Sequence, residues 1–444
     1  MRRPTSMSEK RNICGSRLTT ACAVMGVCIS SNLQASGFAV PELSATGIGT
    51  ANALVANPVD RGAVPYNPAA LAFHDESWLS VGSLLIGPEF SVDTANGSGD
   101  SAGANWLAAP MLQGAIKLNE RWSAGFSVNA PFGLETRWKT NTFAPLSGSI
   151  PLPPPPHGPG GSVPASPQPT QSSLEILDVV PTLTYALSDE LAVAVGADLY
   201  WVKSAKLNSS ITQLEGDGTG LGFNLSALYA KGPFSAGINF HSSTTINVEG
   251  SYSVLNPTLL LIGALQPSQT AELDLDLPWR LQLGVRYAFT PALAVEVDWT
   301  RNGWNTFEAI QVTGDLNGAI LFEDRNDWED ANAYRLGVTY QLQEQTQLRF
   351  GYAYDETPQG DAYFSARVPD NDRHLFGIGV GHRLGDGWQI EAGYMYVKFE
   401  ERKYRSATLY LGDAEINGTD AIDGDYEANA HLIGLAVSRS FDAF

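Results

Sequence analysis

The chain has 444 residues, a formal net charge of -20 and three cysteines. This acidity argues against nucleic-acid binding, because phosphate recognition calls for a basic patch. All three cysteines (Cys14, Cys22 and Cys28) precede residue 36, so a chain that starts there has no thiol chemistry and no disulfides.

The first 35 residues have the pattern of an export signal. A basic start that includes Arg2 and Arg3 is followed by an apolar stretch from Leu18 to Ile29 and by the small-residue cleavage site Leu33-Gln34-Ala35. This order predicts a signal peptide over residues 1–35 and a mature start at Ser36. No stretch approaches the roughly 20 apolar residues that a spanning helix needs. Any membrane crossing is therefore expected to be by strands.

Residues 36–77 show no strand periodicity. Glycines and prolines such as Gly47, Gly49 and Pro58 are mixed there with short apolar groups, which favours turns and short helices. Because the segment precedes a barrel that needs no further strand, we expect it to fill the barrel lumen as a plug, or hatch.

From residue 78 to 444 the sequence alternates with period two. Leu348, Phe350 and Tyr352 share one face of a segment whose other face carries Arg349 and Gly351. Tight turns, as at Lys231-Gly232-Pro233, alternate with long polar loops. That combination predicts an all-β fold, an antiparallel transmembrane β-barrel of about fourteen strands in the outer membrane of a Gram-negative bacterium.

Aromatic residues near the strand ends predict two girdles at the membrane interfaces. One set lies beside the short turns, and Trp138, Trp201 and Trp304 lie near the other ends; the first set is Trp122, Tyr185, Phe234, Phe289 and Trp388. Residues 139–173 are rich in proline and are predicted to form a mobile extracellular loop outside any ladder, with a role in ligand recognition left open. Either Phe441 or Phe444 is expected to end the last strand.

Acidic residues are concentrated in a few loops, for example from Glu323 to Asp330 and from Asp413 to Glu427. The simplest interpretation is a solvated surface, bridged by divalent cations to lipopolysaccharide phosphates. Outer-membrane lipid and lipopolysaccharide are thus expected partners.

Several motifs together resemble the FadL family of long-chain fatty-acid transporters. They are Ser36-Gly37-Phe38, Ser44-Ala45-Thr46-Gly47-Ile48-Gly49, Asn67-Pro68-Ala69-Ala70-Leu71, Ala130-Pro131-Phe132-Gly133-Leu134, Asp330-Ala331-Asn332-Ala333-Tyr334-Arg335 and Val368-Pro369-Asp370-Asn371-Asp372-Arg373. Singly the motifs are weak, but their order spans nearly the whole mature chain. The resemblance implies a monomeric barrel whose hatch carries the motif Asn67, Pro68 and Ala69.

The resemblance also implies that cargo binds in the lumen and leaves through a gap where the third strand kinks. Pro131, Phe132 and Gly133 are the expected kink, because proline has no N–H for the ladder and glycine has no side chain to seal the wall. An ordinary bulge is the alternative. By the same resemblance, basic lumenal side chains would meet a carboxylate.

The candidate ligand-binding residues are Phe38, Lys206, Arg335 and Arg349; Arg280 and Arg286 share the lumenal phase. For each basic residue, a salt bridge within the barrel is the alternative.

The expected function is passive uptake of long-chain fatty acids or similar hydrophobic molecules, without a cofactor, a metal or catalysis. Residues 207–219 are expected to form only a short loop, whereas fatty-acid transporters of the family carry a long helical excursion there. An aromatic-hydrocarbon importer of the same family is therefore an alternative. A general porin is a further rival, and an outer-membrane enzyme is a weak one because no catalytic constellation is evident.

Overall fold

The computed structural model describes residues 37–441 apart from 102–105, 159, 165, 256–257, 262, 264 and 413–414. The predicted signal peptide and its cleavage site lie outside the described residues, and so does Phe444. No helix in this described part is long and apolar enough to cross a membrane.

The described residues form fourteen antiparallel strands that close into a barrel. Some strands consist of two consecutive segments. In chain order they are β1 (Ser77–Thr94), β2 (Gly97–Asp100 and Leu107–Lys117), β3 (Trp122–Thr136), β4 (Pro169–Ala186), β5 (Leu191–Ser209), β6 (Thr212–Lys231), β7 (Phe234–His241 and Thr244–Val254), β8 (Gln269–Leu277 and Trp279–Ala288), β9 (Leu293–Gly303 and Ala309–Gly314), β10 (Ile320–Arg325 and Ala331–Gln343), β11 (Thr346–Asp355), β12 (Arg373–Gly385), β13 (Trp388–Phe399 and Arg402–Tyr404) and β14 (Gly424–Phe441).

The barrel closes where β1 pairs with β14. The register runs from Ser77 opposite Phe441 to Asp93 opposite Asp425. The predicted fourteen-stranded barrel is confirmed, and the predicted tight turns fall between consecutive strands, as at Gly232 between β6 and β7. Within the described residues the last strand ends at Phe441.

The outer face of the barrel is apolar and the inner face is polar. On β11 the side chain of Arg349 points inward and is only 1% exposed, whereas Phe350 points outward and is 49% exposed. This burial is the reverse of a soluble sheet, because lipid covers the outer face and the lumen is filled with protein.

The N-terminal segment, residues 37–76, packs among inward-facing side chains of the barrel. It contains the helix α1 (Ala45–Gly49) and two 3-10 turns (Arg61–Ala63 and Pro68–Phe73). Ser44 caps α1 by accepting a hydrogen bond from the N–H of Gly47 at 3.0 Å, which satisfies one of the free donors of the first turn. A second short helix, α2 (Thr258–Leu261), follows β7.

A belt of glycines on the inner wall makes room for α1 and the residues after it. Gly337, Gly351 and Gly377 are paired across β10, β11 and β12, and Gly379 is paired with Gly393 across β12 and β13. A Cβ atom on Gly393 would lie 2.6 Å from the carbonyl oxygen of Ala45. The segment therefore lies directly against the backbone of the wall.

Two wall carboxylates on β9 hold the backbone of the segment. The N–H groups of Leu54 and Val55 donate to Asp298 Oδ2 at 2.8 and 3.0 Å, and the N–H of Ala56 donates to Glu296 Oε1 at 2.6 Å. These three hydrogen bonds fix the path of residues 54–56 against the wall.

The predicted girdles are correct only in part. Trp122, Phe234, Phe289 and Trp388 are exposed on the outer face, and so is Trp201. Trp138 and Trp304 were expected with Trp201 in the second girdle, and this expectation is wrong, because they are 4% and 0% exposed. Trp138 donates from Nε1 to the carbonyl oxygen of Ala366 at 2.7 Å in a cluster of extracellular loops.

The proline-rich loop is also shorter and more regular than expected. It contains a 3-10 turn (Ala144–Leu146) and a two-stranded hairpin that pairs Ser149–Pro151 with Ser162–Pro164, and β4 already begins at Pro169. Proline is tolerated at the first residue of a strand and on edge strands, because the N–H that it lacks would not have been part of the ladder there.

Residues 207–219 form no separate loop. Strands β5 and β6 run to Ser209 and from Thr212, so that Ser210 and Ile211 alone make the turn. The two strands continue beyond the apolar belt with polar side chains such as Gln213 and Glu215 on one face, and the sequence there was not recognised as strand because its outward positions are not apolar.

Candidate functional site

Strand β3 carries an extra residue at the predicted kink. Its register with β4 shifts between two pairs, Asn129 opposite Asp178 and Phe132 opposite Ile176. Three steps along β3 thus face two steps along β4, which is a β-bulge. Pro131 lies within it and has no N–H to donate.

The wall between β2 and β3 is open above this kink. Pairing of these strands extends only from Lys117 opposite Ser123 to Leu112 opposite Val128. Beyond that point the segment Leu107–Met111 of β2 pairs with β1, and among the described residues β3 pairs on that side with no barrel strand. A gap in the wall results on the side of the long loops.

The first residues of the N-terminal segment cover the inner side of this gap. Ala39 forms an isolated bridge with Phe132. Val40 N–H donates to the carbonyl oxygen of Pro131 at 2.8 Å, and Gly133 N–H donates to that of Phe38 at 3.0 Å. The segment therefore supplies hydrogen-bond partners that β2 does not reach.

Phe38 anchors these residues in a cluster of aromatic rings. Its ring centre lies 6.0 Å from that of Phe132, 4.7 Å from Trp304 and 5.5 Å from Phe307, in edge-to-face geometries. Trp328 completes the cluster at 5.8 Å. Such aromatic pairs add to the free energy gained by burial alone.

A cavity of about 800 Å³ adjoins the gap. Its inner walls are apolar and include Phe38, Val40, Phe132 and Leu432. The same cavity is lined by Trp201, which is 49% exposed on the outer face of the barrel. The volume is within the range of roughly 300–1,000 Å³ that small-molecule sites occupy.

The structure brings only two of the four candidate ligand-binding residues to this cavity. Phe38 and Lys206 line it, and the ammonium of Lys206 lies 2.6 Å from Glu215 Oε1. Arg335 and Arg349 do not line it.

Both arginines are instead buried in ion pairs. Arg349 lies 3.1 Å from Asp60 of the N-terminal segment and 3.0 Å from Glu391 of β13. Arg335 lies 3.2 Å from Asp355, and the burial of a guanidinium requires such a partner. Their contacts match the alternative of a salt bridge inside the barrel.

Further charged residues that the sequence did not single out as candidates line the cavity, and among them are Glu42, Asp370 and Arg373. Asp370 and Arg373 belong to the motif from Val368 to Arg373, for which no ligand-binding role was predicted from the sequence. Asp370 Oδ2 accepts hydrogen bonds from Gly37 N–H at 3.0 Å and from Thr357 Oγ1 at 2.6 Å. Burial raises the pKa of this loop carboxyl to about 6.

The motif Asn67, Pro68 and Ala69 ties the segment to the wall at its other end. Asn67 caps a 3-10 turn by accepting from Ala69 N–H at 3.1 Å, and its Nδ2 donates to the carbonyl oxygens of Val55 and Ala227 at 2.7 and 3.0 Å. The carbonyl oxygen of Pro68 accepts from Thr184 Oγ1 at 3.0 Å. Strands β4 and β6 thus hold this motif.

A family model described as outer membrane protein transport protein (OMPP1/FadL/TodX) matches residues 26–149 and 160–441. The chain belongs to this family. The resemblance to the FadL family is thereby confirmed, and so is the outer-membrane localisation. At the level of the family, OMPP1/FadL/TodX members transport fatty acids or other hydrophobic compounds across the outer membrane.

Curated relatives within the OMPP1/FadL/TodX family are similar over their full length. A long-chain fatty acid transport protein of Escherichia coli O6:H1 (strain CFT073) is 24% identical, with 98% of this chain and 100% of that protein covered. A 47 kDa outer membrane protein of Pasteurella multocida (strain Pm70) is 24% identical, with 96% and 97% covered.

Solved structures of the family share the fold. A FadL homologue of Pseudomonas aeruginosa has a TM-score of 0.75 at 18% identity and covers 91% of this chain and 100% of its own. The toluene transporter TodX of P. putida has a TM-score of 0.65 at 15% identity and covers 93% and 100%.

Proposed function

We propose that this protein takes up long-chain fatty acids or similarly hydrophobic molecules passively, by binding them in the lumenal cavity and releasing them sideways between β2 and β3. The observation that carries the proposal is the end of β2–β3 pairing at Leu112 and Val128. The cavity is lined by Pro110 and Phe132 on either side of this gap and also by the outward-facing Trp201 of β5. The N-terminal segment acts as the hatch that closes the axial route.

Sideways release is favoured by the free energy of hydrophobic transfer. Moving an alkyl chain from an apolar site into water costs about 0.8 kcal/mol for each methylene group, whereas moving it into lipid avoids that cost. A gap that opens towards the bilayer therefore gives hydrophobic cargo a lower barrier than an aqueous pore through the hatch.

The kink can be removed by one deletion. Deleting Pro131 equalises the two chains between the pairs Asn129–Asp178 and Phe132–Ile176, and adding Gly133→Val supplies a side chain and a strand-forming residue. The double change should abolish uptake of labelled oleate and of labelled methyl oleate by a host without its own transporter. Ala124→Val, on the same strand below the gap, is the matched control and should transport normally.

Uptake that remains undiminished in a correctly folded barrel without the bulge would refute sideways release. Folding can be checked by the shift in gel mobility between heated and unheated protein. The same cells should be given labelled toluene, because a toluene transporter shares the fold and four aromatic rings gather around Phe38.

A general porin makes a different prediction for conductance. Removing residues 37–76 should convert a non-conducting barrel into an ion channel, whereas a porin conducts with the segment in place. We further propose that the barrel is monomeric in lipopolysaccharide-containing membrane and that it performs no chemistry on its cargo.

A further inference from the structure

The charges around the cavity carry information about its ligand. Four cations line it, and each lies within ion-pair distance of a carboxylate. The pairs are Arg137 with Glu135 at 2.6 Å, Lys203 with Glu175 at 2.7 Å, Lys206 with Glu215 at 2.6 Å and Arg373 with Asp355 at 3.4 Å. Each of these cations would have to break or share a pair to neutralise an acidic ligand, and Asp355 is already shared with Arg335 at 3.2 Å.

Two further carboxylates line the same cavity near the hatch. Glu42 is buried, and its Oε1 accepts a hydrogen bond from Asn52 Nδ2 at 3.0 Å. Asp370 is buried as well and accepts from Gly37 and Thr357. In the described part of the chain neither has a cation within ion-pair distance, so both add negative charge to a largely apolar chamber.

Among the described residues that line the cavity, the cation at this inner end, Arg373, is held in place on three sides. Arg373 pairs with Asp355, its Nη2 donates to the carbonyl oxygen of Ala39 at 3.4 Å, and its guanidinium lies 5.7 Å from the ring centre of Phe399. A carboxylate that reached Arg373 would meet Glu42 and Asp370 at the same time. Like charges in a poorly hydrated site repel strongly, and burial without a partner is costly for any ionised carboxyl group.

We propose that the cavity selects uncharged hydrophobic molecules, such as hydrocarbons and esters, and that Glu42 and Asp370 determine this specificity by excluding carboxylates. The inference rests on the proposed function, since it concerns the ligand of the same cavity. It departs from the expectation that a lumenal cation receives a fatty-acid carboxylate, because each lining cation already has an acidic partner.

The test compares a carboxylate with its neutral ester of equal chain length. Binding of labelled palmitate and labelled methyl palmitate is measured at pH 8 on the full mature protein in nanodiscs, with empty nanodiscs as background. The wild-type protein should bind the ester at least about tenfold more tightly, as expected for two like charges at short range in a medium of moderate dielectric constant. Equal binding, or tighter binding of palmitate, would overturn the inference.

Conservative variants assign the effect to the two residues. Glu42→Gln with Asp370→Asn should raise the affinity for palmitate to within about threefold of the affinity for methyl palmitate, measured on the same variant. Each single variant should give part of this gain, which keeps the test usable if the double variant does not fold. If folded variants still preferred methyl palmitate over palmitate to the same degree, Glu42 and Asp370 would not determine the specificity. Failure of the wild type to bind either ligand would instead contradict the proposed function.

Discussion

Val40 and Pro131 are joined by a backbone hydrogen bond of 2.8 Å, which places the start of the N-terminal segment against the kinked strand. Together with the bond between Gly133 and Phe38 at 3.0 Å, it makes two contacts of roughly 0.5–1.5 kcal/mol each. Burial of the Phe38 ring is worth more than either bond. Phe38 is therefore the main anchor of this end.

Phe38→Ala should loosen the cover over the gap. Loss of the ring removes four aromatic contacts and should lower stability by about 3–5 kcal/mol, together with ligand affinity. Thermal unfolding and binding of methyl palmitate measure the two effects. Val59→Ala is the control on the same segment, because Val59 is 65% exposed. Wild-type values for both measurements in Phe38→Ala would contradict the anchoring role.

Arg349→Met should lower the stability of the folded protein strongly, although Arg349 does not line the cavity. The substitution leaves Asp60 and Glu391 without their shared cation, and breaking a buried pair costs about 3–5 kcal/mol. We expect earlier thermal unfolding and faster proteolysis of the segment. The exposed Arg383, changed to Met in the same way, should have little effect, and equal behaviour of the two variants would argue against the buried pair.

Asn67→Ala should release the far end of the segment. Three hydrogen bonds are lost, to Val55, Ala69 and Ala227, and two of them leave buried carbonyl oxygens without this donor. A cost of about 2–3 kcal/mol is expected, together with occasional ion conductance in planar bilayers. Asn96→Ala, in an exposed loop, is the control. Silent bilayers and wild-type stability would show that the motif is not needed to hold the segment.

Asp370 should make stability depend on pH. Its pKa is raised to about 6 in the folded protein by burial, against about 4 in an unfolded chain. Between these values the folded state binds more protons than the unfolded state, so stability falls as pH rises from about 4 to 6. The loss is up to about 3 kcal/mol. Unfolding temperatures of Asp370→Asn should show a flatter profile over this range, and an unchanged profile would exclude Asp370 as the source.

Gly393→Ala should displace α1. The new Cβ would approach the carbonyl oxygen of Ala45 to 2.6 Å, and overpacking of this kind costs about 1–3 kcal/mol. Ala392→Val, at the neighbouring outward position, adds volume towards lipid and should be tolerated. Comparable unfolding temperatures for the two variants would mean that the segment yields without strain.

Sequence periodicity was sufficient to predict the barrel, because each strand shows its two faces in its own residues. The break in regular pairing at Pro131 was also predictable, since proline has no N–H to donate to a ladder, and the structure shows it as a β-bulge. The partners of the charged residues could not be predicted in the same way. Arg349 has the lumenal phase in the sequence, but Asp60 and Glu391 reach it from distant parts of the chain.

The cavity residues Glu42 and Asp370 were missed for a related reason. Glu42 lies in a segment without periodicity, so nothing in the sequence gives its direction, and Asp370 lies in a loop whose path depends on contacts with Gly37 and Thr357. Trp304 was predicted to lie in an aromatic girdle because it is near a strand end, whereas its ring packs against that of Phe38 in the interior.

The paired glycines of β10 to β13 have a consequence for a barrel that loses its N-terminal segment. The wall has no side chains at these glycines, so the vacated space would be a groove along one side of the barrel, next to Arg349. The opposite side carries inward-facing Asp178, Asp198 and Arg280. Ions crossing such an emptied barrel would travel off-centre, past the glycines, and bulky substitutions at Gly351 or Gly377 would narrow their path.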